Sequence, residues 1–207
     1  MATRARGSLV AIAAGITALA AWTGLVVQFG ASIALAHTPG RTLWVMARYF
    51  TVLSNLAVAL LFTTIAFRPR WQPSQLIGGV TIAIVLVGVV SATLLAGLLH
   101  LSGGAKIADI LLHRVTPVLV PLFWFAATRH GRLTHRDPAI WAAAPLAYWV
   151  YALLRGQSEG IYAYPFLDVG KNGWPTTIVV ALIIAAAFFA AGHAMVWLDQ
   201  RLKGLSR

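Results

Sequence analysis

Six apolar runs, separated by short polar joints, make up nearly the whole chain. They cover about Ser8–Ala36, Leu43–Phe67, Pro73–Leu101, Ile107–Thr128, Pro138–Leu154 and Trp174–Leu198. Each reaches or exceeds the roughly 17 residues with which a helix crosses about 30 Å of hydrocarbon. The fifth is the shortest. The strict two-residue alternation of a membrane barrel strand, over about ten residues, is absent. The pattern therefore predicts an all-α, polytopic integral membrane protein: one six-transmembrane-helix bundle formed by residues 1–207. The first run follows Arg4 and Arg6 as a signal peptide would, but it is too long for such an apolar segment and reads as a retained helix. No internal repeat is visible, which weakens a reading as an inverted-repeat transporter.

Composition identifies the solvent of this pattern. Hydrophobic residues make up 59% of the chain and charged ones 10%, against about 25% charged in soluble domains. Mean hydropathy is +0.80. The formal charge of +11 does not mark a nucleic-acid partner, because the basic residues sit at the ends of apolar runs rather than in one patch. With six spans, one side holds Arg4, Arg6, Arg68, Arg70, Arg129, Arg132, Arg136, Arg201, Lys203 and Arg207. The other holds Arg41, Lys106, Arg155 and Lys171, with Arg48 and Arg114 inside the spans near it. That asymmetry predicts cytoplasmic termini. The chain has no cysteine, so disulfides, thiolate nucleophiles and cysteine-held metals are excluded.

Two spans carry polar residues that need a reason. Thr51 lies 17 residues before Arg68, and His113 lies 16 before Arg129. At about 1.5 Å per residue, both stand roughly 25 Å from the basic boundary. Arg48, Thr51 and Asn55 follow one helical face, as do Asp109, His113 and Thr116, and Tyr148, Tyr151 and Arg155. Three polar stripes at one depth predict a cavity near the outer side. A central Arg or Asp costs roughly 2.5–3.5 kcal/mol on insertion scales, which favours an inward, paired position. The plainer reading has Arg48 and Arg114 snorkelling to headgroups and Thr51 bonded to its own helix. Pro117 cannot donate to the His113 carbonyl, so a kink is expected there.

Other chemistries find less support. His193 lies toward the opposite boundary, and His130 and His135 fall in a basic loop where they are expected to be hydrated. A bis-histidine haem would need His100 to face His113. No lysine lies deep in a span to carry retinal, and no GxSxG, HExxH or P-loop motif occurs. Neither a metal nor another cofactor is expected.

Three stretches, "RYFTVLSNL" (Arg48–Leu56), "LLHRVTPVLVPLFW" (Leu111–Trp124) and "IYAYPFLDVGKNGW" (Ile161–Trp174), together with the helix order, resemble the bacterial Pr-six-Pr family. More distantly they resemble the animal androgen-induced and androgen-dependent membrane threonine hydrolases. The resemblance implies an intramembrane hydrolase of fatty acid esters of hydroxy fatty acids, resident in a bacterial inner membrane. It implies Thr51, in "YFT", as nucleophile and His113, in "HRVTPVLVP", as base. The Tyr164–Leu167 "YPFL" closes the family pattern. Arg114 and the Ser54–Asn55 pair depart from the animal members.

A threonine hydroxyl needs an adjacent base to act. In this reading Asp109 orients His113, and Arg48, Arg114 or Asn55 stabilises an oxyanion or holds a carboxylate. Tyr148, Tyr151 and Tyr164 support the site, and Tyr162, Tyr164 and Pro165 cap its mouth. The partner is a membrane lipid or lipid ester. The alternatives are a non-catalytic lipid carrier with the same cavity, and a structural membrane subunit with no cavity.

Overall fold

The computed structural model describes residues 2–98 and 100–204, with side chains from residue 6 onward. Among them the regular structure is entirely helical. The helices are α1 (Ala2–Ala36), α2 (Pro39–Met46), α3 (Phe50–Phe67), α4 (Ser74–Thr93), α5 (Gly103–Ile110), α6 (Thr116–Ala127), α7 (Asp137–Glu159) and α8 (Val169–Leu202). A π-helical turn, Leu111–Val115, joins α5 to α6 without a break. Backbone groups in hydrocarbon must bond internally, so long helices are what such apolar runs can form.

Among the described residues, five segments are long and apolar enough to cross a membrane: Arg6–Ala36, Phe50–Phe67, Ser74–Thr93, Gly103–Ala127 and Val169–Leu202. The chain is thus an all-helical protein of integral-membrane character. The remaining long helix, α7, has 23 residues but is less apolar, since it carries two tyrosines, an arginine and a glutamate in its second half.

The second expected span is two helices. Thr38 accepts a bond from the Arg41 N–H, and Pro39 sits in the first turn, so a separate short helix starts there. The chain then breaks at 47–49 before α3 begins at Phe50. The third span ends earlier than expected, at Thr93. The last is longer than expected and turns sharply at Gly173, whose φ of +73° suits a residue without a side chain.

Helix α1 lies along α3 and also touches α5 and α6, while α4 packs on α3, α6 and α7. The centre holds Val58, Phe62, Ile65, Ile84 and Val120, all fully buried. Phe62 meets Phe123 edge to face at 4.9 Å between centroids. Large apolar side chains such as Leu9, Leu19, Leu122 and Leu182 are exposed on the outside, which is where lipid replaces water as solvent. Because lipid gives helices no hydrophobic drive to associate, they approach through small residues. A Cβ on Gly79 would lie 2.7 Å from the Trp141 ring, and one on Gly88 would lie 2.8 Å from Pro117.

Candidate functional site

The first turns of α3 and the π turn before α6 face each other and set up the site. Pro117 removes a backbone donor, and the helix responds by widening over the preceding turn. There the Thr116 N–H reaches back five residues to Leu111. In that register the Leu112 carbonyl would look to residue 117 for its donor, and Pro117 has none. The Asn55 side chain fills the gap from α3. Its amide nitrogen donates to the Leu112 carbonyl at 3.1 Å and to its own helix at Thr51 at 2.9 Å. Its oxygen accepts the Thr116 hydroxyl at 2.7 Å. Asn55 and Thr116 are both fully buried. The clamp fixes the rotation of the π turn against α3.

With that rotation fixed, the Thr51 Oγ1 and His113 Nε2 lie 3.1 Å apart. The other ring nitrogen, Nδ1, is 3.0 Å from Asp109 Oδ1, one turn earlier. That contact meets the distance of an ion pair but not the direction of a hydrogen bond, and Nδ1 is otherwise buried without a partner. The carboxylate still favours the proton on Nδ1, which leaves Nε2 bare to accept from Thr51. Thr51 is buried. The Tyr164 phenol, from the segment after α7, lies against Thr51 and Tyr148. Burial pushes its pKa above the usual tyrosine value, so it stays a neutral O–H donor. Thr51, Tyr148 and Tyr164 share a small cavity of about 90 Å³ with Phe50, Leu86 and Val87.

Several expected members of the site stand elsewhere. Both donors of Asn55 are engaged in the clamp, so it holds the site in place rather than serving an oxyanion. Arg114 points outward with its side chain 75% exposed, 4.0 Å from Asp109 Oδ2. A residue at 100° from its neighbour on a helix cannot share His113's inward face. Arg48 lies in the break before α3 and turns to Glu159, with which it forms an ion pair. Its backbone carbonyl accepts the Tyr148 hydroxyl at 2.8 Å. The neighbouring Ala47 carbonyl accepts Tyr151 at 3.2 Å. Both tyrosines thus cap carbonyls that the helix break exposes.

Glu159 is the residue that the sequence pattern did not bring forward. It accepts from Arg155 Nε at 2.8 Å and from Trp44 Nε1 at 2.9 Å besides Arg48. Arg155 also donates to the Trp44 carbonyl at 2.7 Å and lies over the Trp44 ring at 4.0 Å. The hydrogen bond from Arg155, helped by Arg48 and Trp44, holds the Glu159 carboxyl below the ordinary glutamate range. As one of five acids in the chain, standing four residues after an arginine, it carried a signal that could have been read.

The segment after α7 packs as an ordered cap. Pro165–Leu167 forms one 3₁₀ turn, and its Pro165 carbonyl accepts from the Asn172 side chain at 2.7 Å. Tyr164 and Leu167 are buried against Ala152 and Leu153. Tyr162 lies over Gly156, where a Cβ would come within 2.2 Å of the ring.

His130 is not hydrated as expected from its loop. It is buried, 3.2 Å from Asp199 Oδ1 and 3.1 Å from the Phe125 carbonyl. Comparison with protein-family models, curated proteins and solved structures finds no match to the chain.

Proposed function

We propose that the chain is an intramembrane hydrolase of lipid esters, with Thr51 as nucleophile and His113 as general base. The observation that carries this reading is the 3.1 Å approach of Thr51 Oγ1 to His113 Nε2, with Asp109 3.0 Å behind the ring. A general base must reach the proton it removes, and this distance permits it.

Thr51 Oγ1 attacks the acyl carbon as its proton passes to His113 Nε2. The carbonyl becomes an oxyanion beside the Tyr164 phenol, which replaces Asn55 as the available donor. Collapse breaks the bond to the alkoxy oxygen, which takes the proton from His113 and leaves as the alcohol. The acyl group is then on Thr51. Water, deprotonated by His113, attacks it and releases the carboxylic acid, restoring the hydroxyl. Asp109 steadies the imidazolium formed in each half-reaction. Burial strengthens each of these electrostatic contacts.

The motifs that resemble the Pr-six-Pr family contain all three central groups, Thr51, His113 and Tyr164. The same reading makes α7 the sixth span and both termini cytoplasmic, in a bacterial inner membrane, supported by the distribution of arginine and lysine. A non-catalytic lipid carrier is the second reading. A large apolar groove beside the site, which does not itself include Thr51, favours it. A fluorophosphonate probe separates the two. Labelling of the purified wild type that disappears in Thr51→Ala supports the hydrolase; bound lipid without labelling or ester cleavage supports the carrier.

A further inference from the structure

The cavity that holds Thr51 is small, about 90 Å³. It accommodates a reacting ester group and no acyl chain. A second, much larger space of about 630 Å³ opens between α3, α4 and α7. That volume lies within the roughly 300–1,000 Å³ range of small-molecule sites. Its walls include Leu53, Ala57, Leu76, Val80, Ala83 and Ala144. Leu53, Leu76 and Ile140 on its rim are exposed, so it is open sideways to the lipid around the bundle.

Phe50 and Tyr148 line both spaces. Their rings stand 5.0 Å apart between centroids. The Tyr148 hydroxyl is tied to the Arg48 carbonyl, whereas Phe50 is the first residue of α3 and has no polar tether. The two rings thus form the partition between the spaces. Ser54 adds a second mark. It lines the groove one turn beyond Thr51, is buried, and its hydroxyl has no partner. A buried hydroxyl left unpaired is unfavourable, so a polar atom of the occupant belongs at that height.

We propose that this groove is the binding site for the acyl chain of the ester attacked by Thr51, and that the Phe50–Tyr148 pair sets the passage between chain and reacting group. The proposal rests on the hydrolase reading for the identity of the ester. The chain lies against the alanines and leucines of the groove. The ester end is directed past Phe50, and Ser54 meets an oxygen near that end.

Two measurements test it, one without catalysis. A diazirine-bearing palmitic acid is photocrosslinked to purified Thr51→Ala protein in nanodiscs, and the labelled peptides are mapped. Labels concentrated on the groove residues of α3, α4 and α7, and reduced at least fivefold by Ala83→Phe or Ala144→Phe, are expected. Labels spread evenly over the exposed faces of α1 and α8 would overturn the site. The second measurement compares p-nitrophenyl palmitate with p-nitrophenyl butyrate. Either phenylalanine variant should lower the palmitate-to-butyrate ratio of kcat/KM at least tenfold. An unchanged ratio in both variants, each eluting as a folded monodisperse protein, means only bulk lipid occupies the groove and overturns the proposal. If the wild type cleaves neither ester, the hydrolase reading falls, and the crosslinking map alone decides whether the groove is an acyl site.

Discussion

Two histidine–aspartate pairs stand toward opposite ends of the same rod of helix. His113 with Asp109 lies in the first half of Gly103–Ala127, and His130 with Asp199 lies just past its end. In the second pair every polar atom is occupied. Both ring nitrogens of His130 face oxygen atoms within hydrogen-bond reach. Asp199 also accepts the backbone N–H groups of Arg132 at 2.8 Å and Leu133 at 2.9 Å. His113 has one nitrogen at the Thr51 hydroxyl, whose residue lines a cavity, and a carboxylate that approaches the other nitrogen off-line. The first arrangement can exchange a proton; the second can only hold the chain in place. A histidine beside an aspartate is therefore not itself a sign of catalysis. What matters is whether the ring still has something to do.

Substitutions should separate the two ends most sharply through activity. Thr51→Ala and His113→Gln are expected to lower ester hydrolysis by on the order of 10²–10⁴-fold, measured on purified protein with the fluorophosphonate label as a second readout. Either variant keeping the wild-type rate would remove the contrast. At the other end, Asp199→Ala strands a buried histidine and two backbone donors. It should cost about 3–5 kcal/mol in an unfolding titration while any surviving folded protein still labels at Thr51. Asp109→Asn should do the opposite, lowering the rate with little change in stability.

A smaller effect links helix packing to the site. Gly88→Ala places a methyl 2.8 Å from Pro117, directly behind the π turn. The expected cost is about 1–3 kcal/mol, accompanied by weaker labelling as His113 shifts. Normal labelling at reduced stability would show that the turn is fixed by the Asn55 clamp alone.

The smallest effect concerns Glu159. Its folded pKa lies below the unfolded one because Arg155, and then Arg48 and Trp44, bond the carboxylate. The stability this provides is present above the ordinary glutamate value of about 4.3 and is lost as pH falls through the lower folded value. Thermal unfolding of the wild type should therefore begin to approach that of Glu159→Gln as pH falls below about 4.3 and meet it only below the lowered folded value. A constant gap between the two across the acid range would show that the ion pairs contribute nothing there.

Much of the arrangement was legible in the chain because membrane helices are ruled by length and charge. The apolar runs located five long helices to within a few residues at most ends. Counting residues from Arg68 and Arg129 placed Thr51 and His113 at one height, and they meet. Pro117 marked the place where the helix departs from α geometry. The break at 47–49 escaped notice because Trp44–Met46 and Phe50–Leu53 are equally apolar, so hydropathy runs straight through it. Asn55 was placed on the correct helix but not with its partners, and Arg48, expected on the same helical face as Thr51 and Asn55, lies in the break before that helix. Their roles depend on Glu159 and on the Leu112 carbonyl, which lie 111 and 57 residues away along the chain. Periodicity within one helix says nothing about such pairings. Arg114 was grouped with His113 by adjacency, which on a helix guarantees different directions.

The π turn makes the length of this segment as informative as its composition. One extra residue in a helix advances everything beyond it by about 100°. Leu111–Val115 absorbs that advance, and so Asp109 before it, His113 within it and Thr116 after it keep a common bearing toward α3. Removing a single residue there would leave every side chain chemically intact and return the rod to an ordinary helix, but out of phase. Either His113 or Thr116 would then turn from α3 toward lipid. The site is in this sense encoded by a count of residues, and a one-residue deletion between Asp109 and Thr116 would be more damaging than most substitutions in the same stretch.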